Sequence, residues 1–219
     1  MLPSASTLEL EISHFEYWLG IGAVAASSAA AVLEVGRKRF DVFGMLVIAF
    51  VAALGGGTTR DVLLGRTVFW IEDPTYLSAV VFPSLATFAL ARRKPLPLDI
   101  FLVPDAIGLA LFTIVGTKVV LLAGSHWIIA VLMGVITGVA GGILRDVLSN
   151  EEPVIFLGEL YATAALVGAM SLIVMLKLGV DYRWAGPFSG SLIVVFRLAA
   201  MRWHLRLPNF ESGPIDKTR

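Results

Sequence analysis

The sequence predicts an all-α integral membrane protein, with seven transmembrane helices arranged as two inverted three-helix repeats plus a seventh helix. Three observations lead there. Apolar residues come in blocks long enough to cross a bilayer, not in half-buried alternation. The chain is 57% hydrophobic and 16% charged, with mean hydropathy +0.83, whereas a soluble domain carries charge on roughly a quarter of its residues. One short string also occurs twice, as Gly55-Gly56-Gly57-Thr58-Thr59-Arg60-Asp61-Val62-Leu63 and as Ala140-Gly141-Gly142-Ile143-Leu144-Arg145-Asp146-Val147-Leu148.

Composition also excludes several classes. With no cysteine there is no disulfide frame and no thiolate chemistry. The histidines, at 14, 126 and 204, have no metal-ligand spacing. A formal net charge of zero gives no bulk field for a nucleic-acid partner. No nucleophile and base stand together, and Gly55-Gly56-Gly57 lacks the Lys-Ser/Thr ending of a phosphate loop. No enzyme and no cofactor are expected.

Residues Met1 to Glu16 carry Glu9, Glu11 and Glu16 without a basic leader, and read as a short exposed tail or surface helix. The first span, Tyr17 to Val35, is rich in Gly, Ala and Ser, which let helices approach closely in lipid. The second, Asp41 to Leu64, holds the glycine triplet, and Trp70 and Tyr76 after it suit a membrane interface. The third, Tyr76 to Leu90, contains Pro83, which should bend it. The fourth, Leu98 to Leu122, carries Asp105 and Lys118, and the fifth, Trp127 to Leu148, carries the second glycine run. The sixth covers Phe156 to Leu176, and the seventh, Trp184 to Trp203, has Pro187 near its first turn. The expected divisions are a tail over 1–15, repeats over 16–94 and 95–178, a seventh helix over 179–204 and a tail over 205–219.

Basic residues set the orientation. Arg37, Lys38 and Arg39, then Arg92, Arg93 and Lys94, then Arg202, Arg206, Lys217 and Arg219 fall on one side of a seven-span chain. That side is cytoplasmic, which leaves the amino terminus outside. The expected location is the inner (plasma) membrane.

Aligning Arg60-Asp61 on Arg145-Asp146 lays the first span over the fourth. Each repeat holds an odd number of spans, so the second enters from the opposite face, the inverted plan of transporters and related pores. Each glycine run is expected to interrupt its helix and release backbone groups. Carbonyls of Gly55, Gly56 and Gly141 then become candidate ligands for a monovalent cation, while amides from Thr58 onward favour anions. Arg60, Asp61, Arg145 and Asp146 either line a path or lock the two breaks together. Sequence neighbours on a helix do not face one another, so these charges are expected to find partners on other helices. A duplicated bundle with no conduit is the alternative.

Lys118 is the only ionisable residue between Leu111 and Leu122. A central lysine costs roughly 2.5–3.5 kcal/mol on insertion scales, so it either snorkels to the surface or lines a pore. Asp105 either lines the cytoplasmic part of a path or pairs with a basic residue of another helix. Glu34 is placed to pair with Arg37 or Lys38, and Glu159 and Tyr161 read as interface anchors.

On these residues the chain resembles the prokaryotic branch of the trimeric intracellular cation channel family. The two glycine-Arg-Asp strings carry the resemblance, supported by Asp105-Ala106-Ile107-Gly108-Leu109-Ala110-Leu111-Phe112 and Val68-Phe69-Trp70. It covers roughly residues 15 to 203. It implies a homotrimer in the lipid bilayer, each protomer with its own pore, with second and fifth helices kinked at Gly55, Gly56, Gly57, Gly141 and Gly142. It implies permeation by potassium or sodium ions and a basic pore residue on the fourth helix, a position that Lys118 resembles. Two departures stand out: the motif around that lysine in animal channels is absent, and Ala140 replaces the first glycine of the second copy. The expected function is a potassium channel. The alternatives are a secondary transporter of a small solute such as an amino acid, and a structural membrane subunit.

Overall fold

The computed structural model describes residues 14–36, 38, 40–93, 101–157, 160–203 and 205–206, with backbone only at 14–16. They form eight helices: α1 (His14–Val35), α2 (Val42–Leu63), α3 (Phe69–Glu72), α4 (Thr75–Arg93), α5 (Leu102–Leu122), α6 (Trp127–Leu148), α7 (Ala162–Lys177) and α8 (Tyr182–Arg202). The short α3 aside, these are the seven helices that the apolar blocks predict. Six of them are long and apolar enough to cross a membrane.

Local chemistry sets several boundaries. Asp41 starts α2 by accepting the Gly44 N–H at 2.7 Å, and Asp181 starts α8 by accepting that of Arg183 at 2.7 Å. Asp73 accepts the Thr75 N–H at 2.9 Å where α4 begins. Hydrogen bonds from Thr75, and one from Tyr17, hold the Asp73 carboxyl below its ordinary pKa. Because α8 begins at Tyr182, Pro187 lies past the first turn, inside the helix. Its missing N–H deprives the Arg183 carbonyl of its helical donor, on an exposed turn. Pro83 is likewise inside α4.

The sixth span is shorter than expected. α7 has 16 residues, begins at Ala162 and follows a 3-10 turn at Val154–Phe156. At the head of that turn Asp146 accepts the Val154 N–H at 3.1 Å.

Each half builds its own apolar core. Ala23, Val24, Ile48, Ala49 and Val80 anchor the α1–α2–α4 core, and Leu109, Ile114, Ala165, Leu172 and Ile193 the α5–α8 core. The halves meet chiefly where α1 packs on α5 and α2 on α6. α5 and α6 also pack closely through glycines set against threonines. A Cβ at Gly134 would lie 2.0 Å from the Thr117 hydroxyl, and one at Gly138 2.3 Å from that of Thr113. Those hydroxyls stay in their own helix, bonded to the carbonyls of Thr113 and Leu109 at 2.8 and 2.7 Å. Small residues at a crossing bring backbones together where lipid supplies no hydrophobic drive.

Candidate functional site

The glycine runs do not interrupt their helices. α2 is helical through Gly55, Gly56 and Gly57, and α6 through Gly141 and Gly142. They permit close approach. A Cβ on Gly56 would lie 2.1 Å from the Thr137 carbonyl oxygen, and one on Gly141 would lie 2.1 Å from that of Ala52. The two contacts are reciprocal: each glycine admits the backbone of the other repeat. The expected cation ligands at the carbonyls of Gly55, Gly56 and Gly141 therefore lose their premise, because a continuous helix engages those oxygens internally. The Gly55 carbonyl also accepts the Thr59 hydroxyl at 2.8 Å. Thr58 donates to Leu54 at 2.7 Å and accepts the Trp70 indole N–H at 3.0 Å, so Trp70 is tied to α2 as well as suited to an interface.

The Arg-Asp pairs show the duplication most clearly. Arg60 Nε donates to Asp61 Oδ1 at 2.8 Å, and Arg145 Nε to Asp146 Oδ1 at 2.9 Å. The second oxygen of each aspartate accepts a backbone N–H eight residues on: Phe69 at 3.0 Å and Val154 at 3.1 Å. Partners on other helices were expected; Arg60 and Asp61 instead pair within their own last turn, while Arg145 pairs with its neighbour and with other helices too. An arginine is long enough to fold its guanidinium back over a neighbour that points along the helix axis. The motif ties down the segment leaving each helix.

Beyond that shared device the halves differ. Arg145, 2% exposed, also meets Asp105 Oδ1 at 2.7 Å and Glu34 Oε2 at 2.5 Å. Three carboxylates thus converge on one guanidinium, which assigns Asp105 its partner. Glu34 pairs with Arg145, not with Lys38. Lys38 instead reaches Glu151 at 2.7 Å and the Ser149 carbonyl. Among the described residues Asp61 is the only ion-pair partner of Arg60, which also lies 5.7 Å from the centre of the Phe69 ring. A cleft of about 170 Å³ opens beside it, bordered by Gly57, Arg60, Asp61, Arg66, Glu72 and Tyr76 among others.

Lys118 is buried at 2% exposure, with Nζ 3.7 Å from the centre of the Tyr182 ring. It does not snorkel. Tyr161 is no interface anchor either: it is buried beneath Arg197, whose guanidinium carbon lies 4.9 Å from its ring centre. Sequence reasoning passed over Tyr182 and Arg197. The available signal was a single arginine inside an apolar span. Among the described residues no group of three acids, histidines or cysteines could hold a metal ion. Residues 1–13, Arg37, Arg39, Lys94, Glu159, His204, Lys217 and Arg219 lie outside the described residues.

A bundle of membrane-length helices, built twice over and burying a charged pair in each copy, defines a polytopic membrane protein with duplicated halves. A family model described as "Glycine transporter" matches the chain twice, over residues 17–92 and 102–177. The chain is 43% identical over 197 residues to the UPF0126 inner membrane protein YadS of Escherichia coli K12, covering 89% of this chain and 95% of that one. It is 44% identical over 199 residues to a UPF0126 membrane protein of Vibrio cholerae, covering 89% and 82% of the two chains. Among solved structures it matches the TRIC trimeric intracellular cation channel orthologue from Rhodobacter sphaeroides with TM-score 0.83 and 35% identity, over 88% of this chain and all of that one. A TRIC channel from C. elegans with bound Ca²⁺, at 14% identity and TM-score 0.60, shares the fold. The chain belongs to the prokaryotic TRIC channel family, which carries the UPF0126 name among bacterial membrane proteins.

Proposed function

We propose that the protein is a channel for monovalent cations, chiefly potassium, working as a homotrimer with a pore inside each protomer. The observation that carries this reading is likeness along nearly the whole chain to bacterial TRIC cation channels. The charge pattern supports it. Three carboxylates, Glu34, Asp105 and Asp146, face the single guanidinium of Arg145, an acidic surplus at that contact which favours cations. The route runs from the cleft at Arg60 and Asp61, past buried Lys118, to the cluster at Arg145. The close contacts at Gly56 and Gly141 hold α2 and α6 together along it. The protein sits in the inner membrane as YadS does, with Lys38, Arg92, Arg93, Arg202 and Arg206 facing the cytoplasm and the amino terminus outside.

The test is single-channel recording of purified protein in a planar bilayer under a KCl gradient. Unitary currents reversing near the potassium equilibrium potential are expected, with smaller conductance in Asp105→Asn. A second reading, a carrier for a small solute, is favoured by the description of the matching family model. Saturable flux without unitary currents would replace the first reading with the second.

A further inference from the structure

The register that lays Arg60 on Arg145 and Asp61 on Asp146 also lays Phe69 on Val154 and Tyr76 on Tyr161. It sets Gly20 against Asp105 and Val119 against Glu34. These last two pairs matter most. In the second half Arg145 is held by Asp105 from its own repeat and by Glu34 from the other. The counterparts around Arg60 are Gly20 and Val119, and both line the cleft beside it. Two carboxylates reach Arg145 in one half; in the other their counterparts leave a cleft that the Tyr76 hydroxyl only partly fills. A third exchange runs the same way: Arg66 borders the cleft where the second half has Glu151.

We propose that this cleft binds a small carboxylate, held by Arg60 as Asp105 is held by Arg145. Arg60 is 6% exposed, its Nε donates to Asp61, and among the described residues it has no ion pair beyond that aspartate. A buried guanidinium favours a bidentate, charge-assisted partner, and a carboxylate matches its fork. The Tyr76 hydroxyl stands 2.9 Å from where a side chain at position 20 would begin, so it adds a donor at the place Asp105 occupies in the other half. The cleft, about 170 Å³, has room for several waters or a ligand of a few heavy atoms. Glu72 and Arg66 stand exposed at its mouth, and Glu72 suits a ligand that also carries an ammonium group. The site lies at the outer end of the proposed ion route, and binding there is read independently of current.

The experiment is saturation-transfer NMR on acetate with full-length protein in nanodiscs, against chloride at equal ionic strength. Val119→Glu supplies a tethered carboxylate as Glu34 does, and Val119→Gln matches its size without charge. Gly20→Asp supplies the carboxylate from the opposite wall, should the first variant fold poorly. Wild type and Val119→Gln are expected to transfer saturation to acetate, and Val119→Glu and Gly20→Asp to lose at least nine-tenths of it. Displacement of acetate by glycine supports the proposal with an amino acid as the source. An acetate signal that glycine leaves intact supports it with a plain carboxylate. No acetate signal in wild type, equal signal in folded Val119→Glu, or displacement by equimolar chloride overturns it. A protein silent in single-channel recording but binding acetate in this pattern would lose the channel reading alone.

Discussion

Replacing Gly56 with alanine should destabilise the protein far more than replacing its neighbour Gly55. A Cβ at Gly56 would lie 2.1 Å from a backbone oxygen, whereas ordinary contact begins at 3.4 Å, so α2 and α6 must separate by about 1.3 Å. The obstacle is the Thr137 carbonyl, held in the α6 hydrogen-bond ladder, so no side-chain rotation relieves it. Overpacking of this kind costs about 1–3 kcal/mol, at times more. Alanine's better helix propensity returns at most about 1 kcal/mol. At Gly55 the nearest atom is the Leu144 Cδ1 at 2.7 Å, the far end of a flexible side chain that can turn away. Gly55→Ala should therefore be near neutral, because the propensity gain offsets the shift of Leu144.

Gly141→Ala meets the Ala52 carbonyl at the same 2.1 Å and should cost as much as Gly56→Ala. The double variant should cost less than the two singles together, because one separation of α2 from α6 relieves both clashes. The assay is thermal unfolding in detergent, followed by intrinsic fluorescence. Equal unfolding temperatures for wild type, Gly56→Ala and Gly141→Ala would refute close approach. If conductance alone then changed, flexibility at the glycines would be their role.

Arg145→Gln should destabilise by about 3–5 kcal/mol, because it strands Glu34, Asp105 and Asp146 without their cation; retained unfolding temperature would show that these acids find other partners. Asp61→Asn and Asp146→Asn each weaken a charge-assisted bond to a backbone N–H, and should speed hydrogen exchange at Phe69 and Val154 respectively without affecting the other half. Tyr182→Leu removes the ring beneath Lys118 and should cost up to about 2 kcal/mol, while Tyr182→Phe keeps the ring and most of the stability; equal losses in both variants would place the effect in the hydroxyl.

Hydrophobic block length made the spans legible, and recurrence of glycine-Arg-Asp made the duplication legible. What glycine does there was not legible. A glycine run is consistent with a flexible joint or with close approach, and only the partner backbone at Thr137 and Ala52 distinguishes them. The turn before α7 was hidden because its Val154 N–H bonds to Asp146, a side chain on the preceding helix. The pairing of Arg60 with Asp61 defied the rule that helix neighbours diverge, since that rule describes side chains within a helix and this pair closes its last turn. Lys118 admitted two readings from hydropathy, and its burial over a ring from the seventh helix required tertiary structure.

The duplicated elements and their departures divide the labour. Both halves keep the Arg-Asp tie and the reciprocal glycine contacts, so these belong to the scaffold. α8 has no counterpart in the repeat and packs on α5 and α7. From it Tyr182 covers Lys118 and Arg197 covers Tyr161, so both added cation-ring contacts brace the second half. That half also closes its arginine with acids from two helices. Among the described residues the first half receives no cation-ring contact from α8 and sets no second acid against Arg60, which borders a cleft. A protein that must bind or pass something needs one part held fixed and another left accessible. In this chain an old symmetry was broken in the direction that leaves the Arg60 side open.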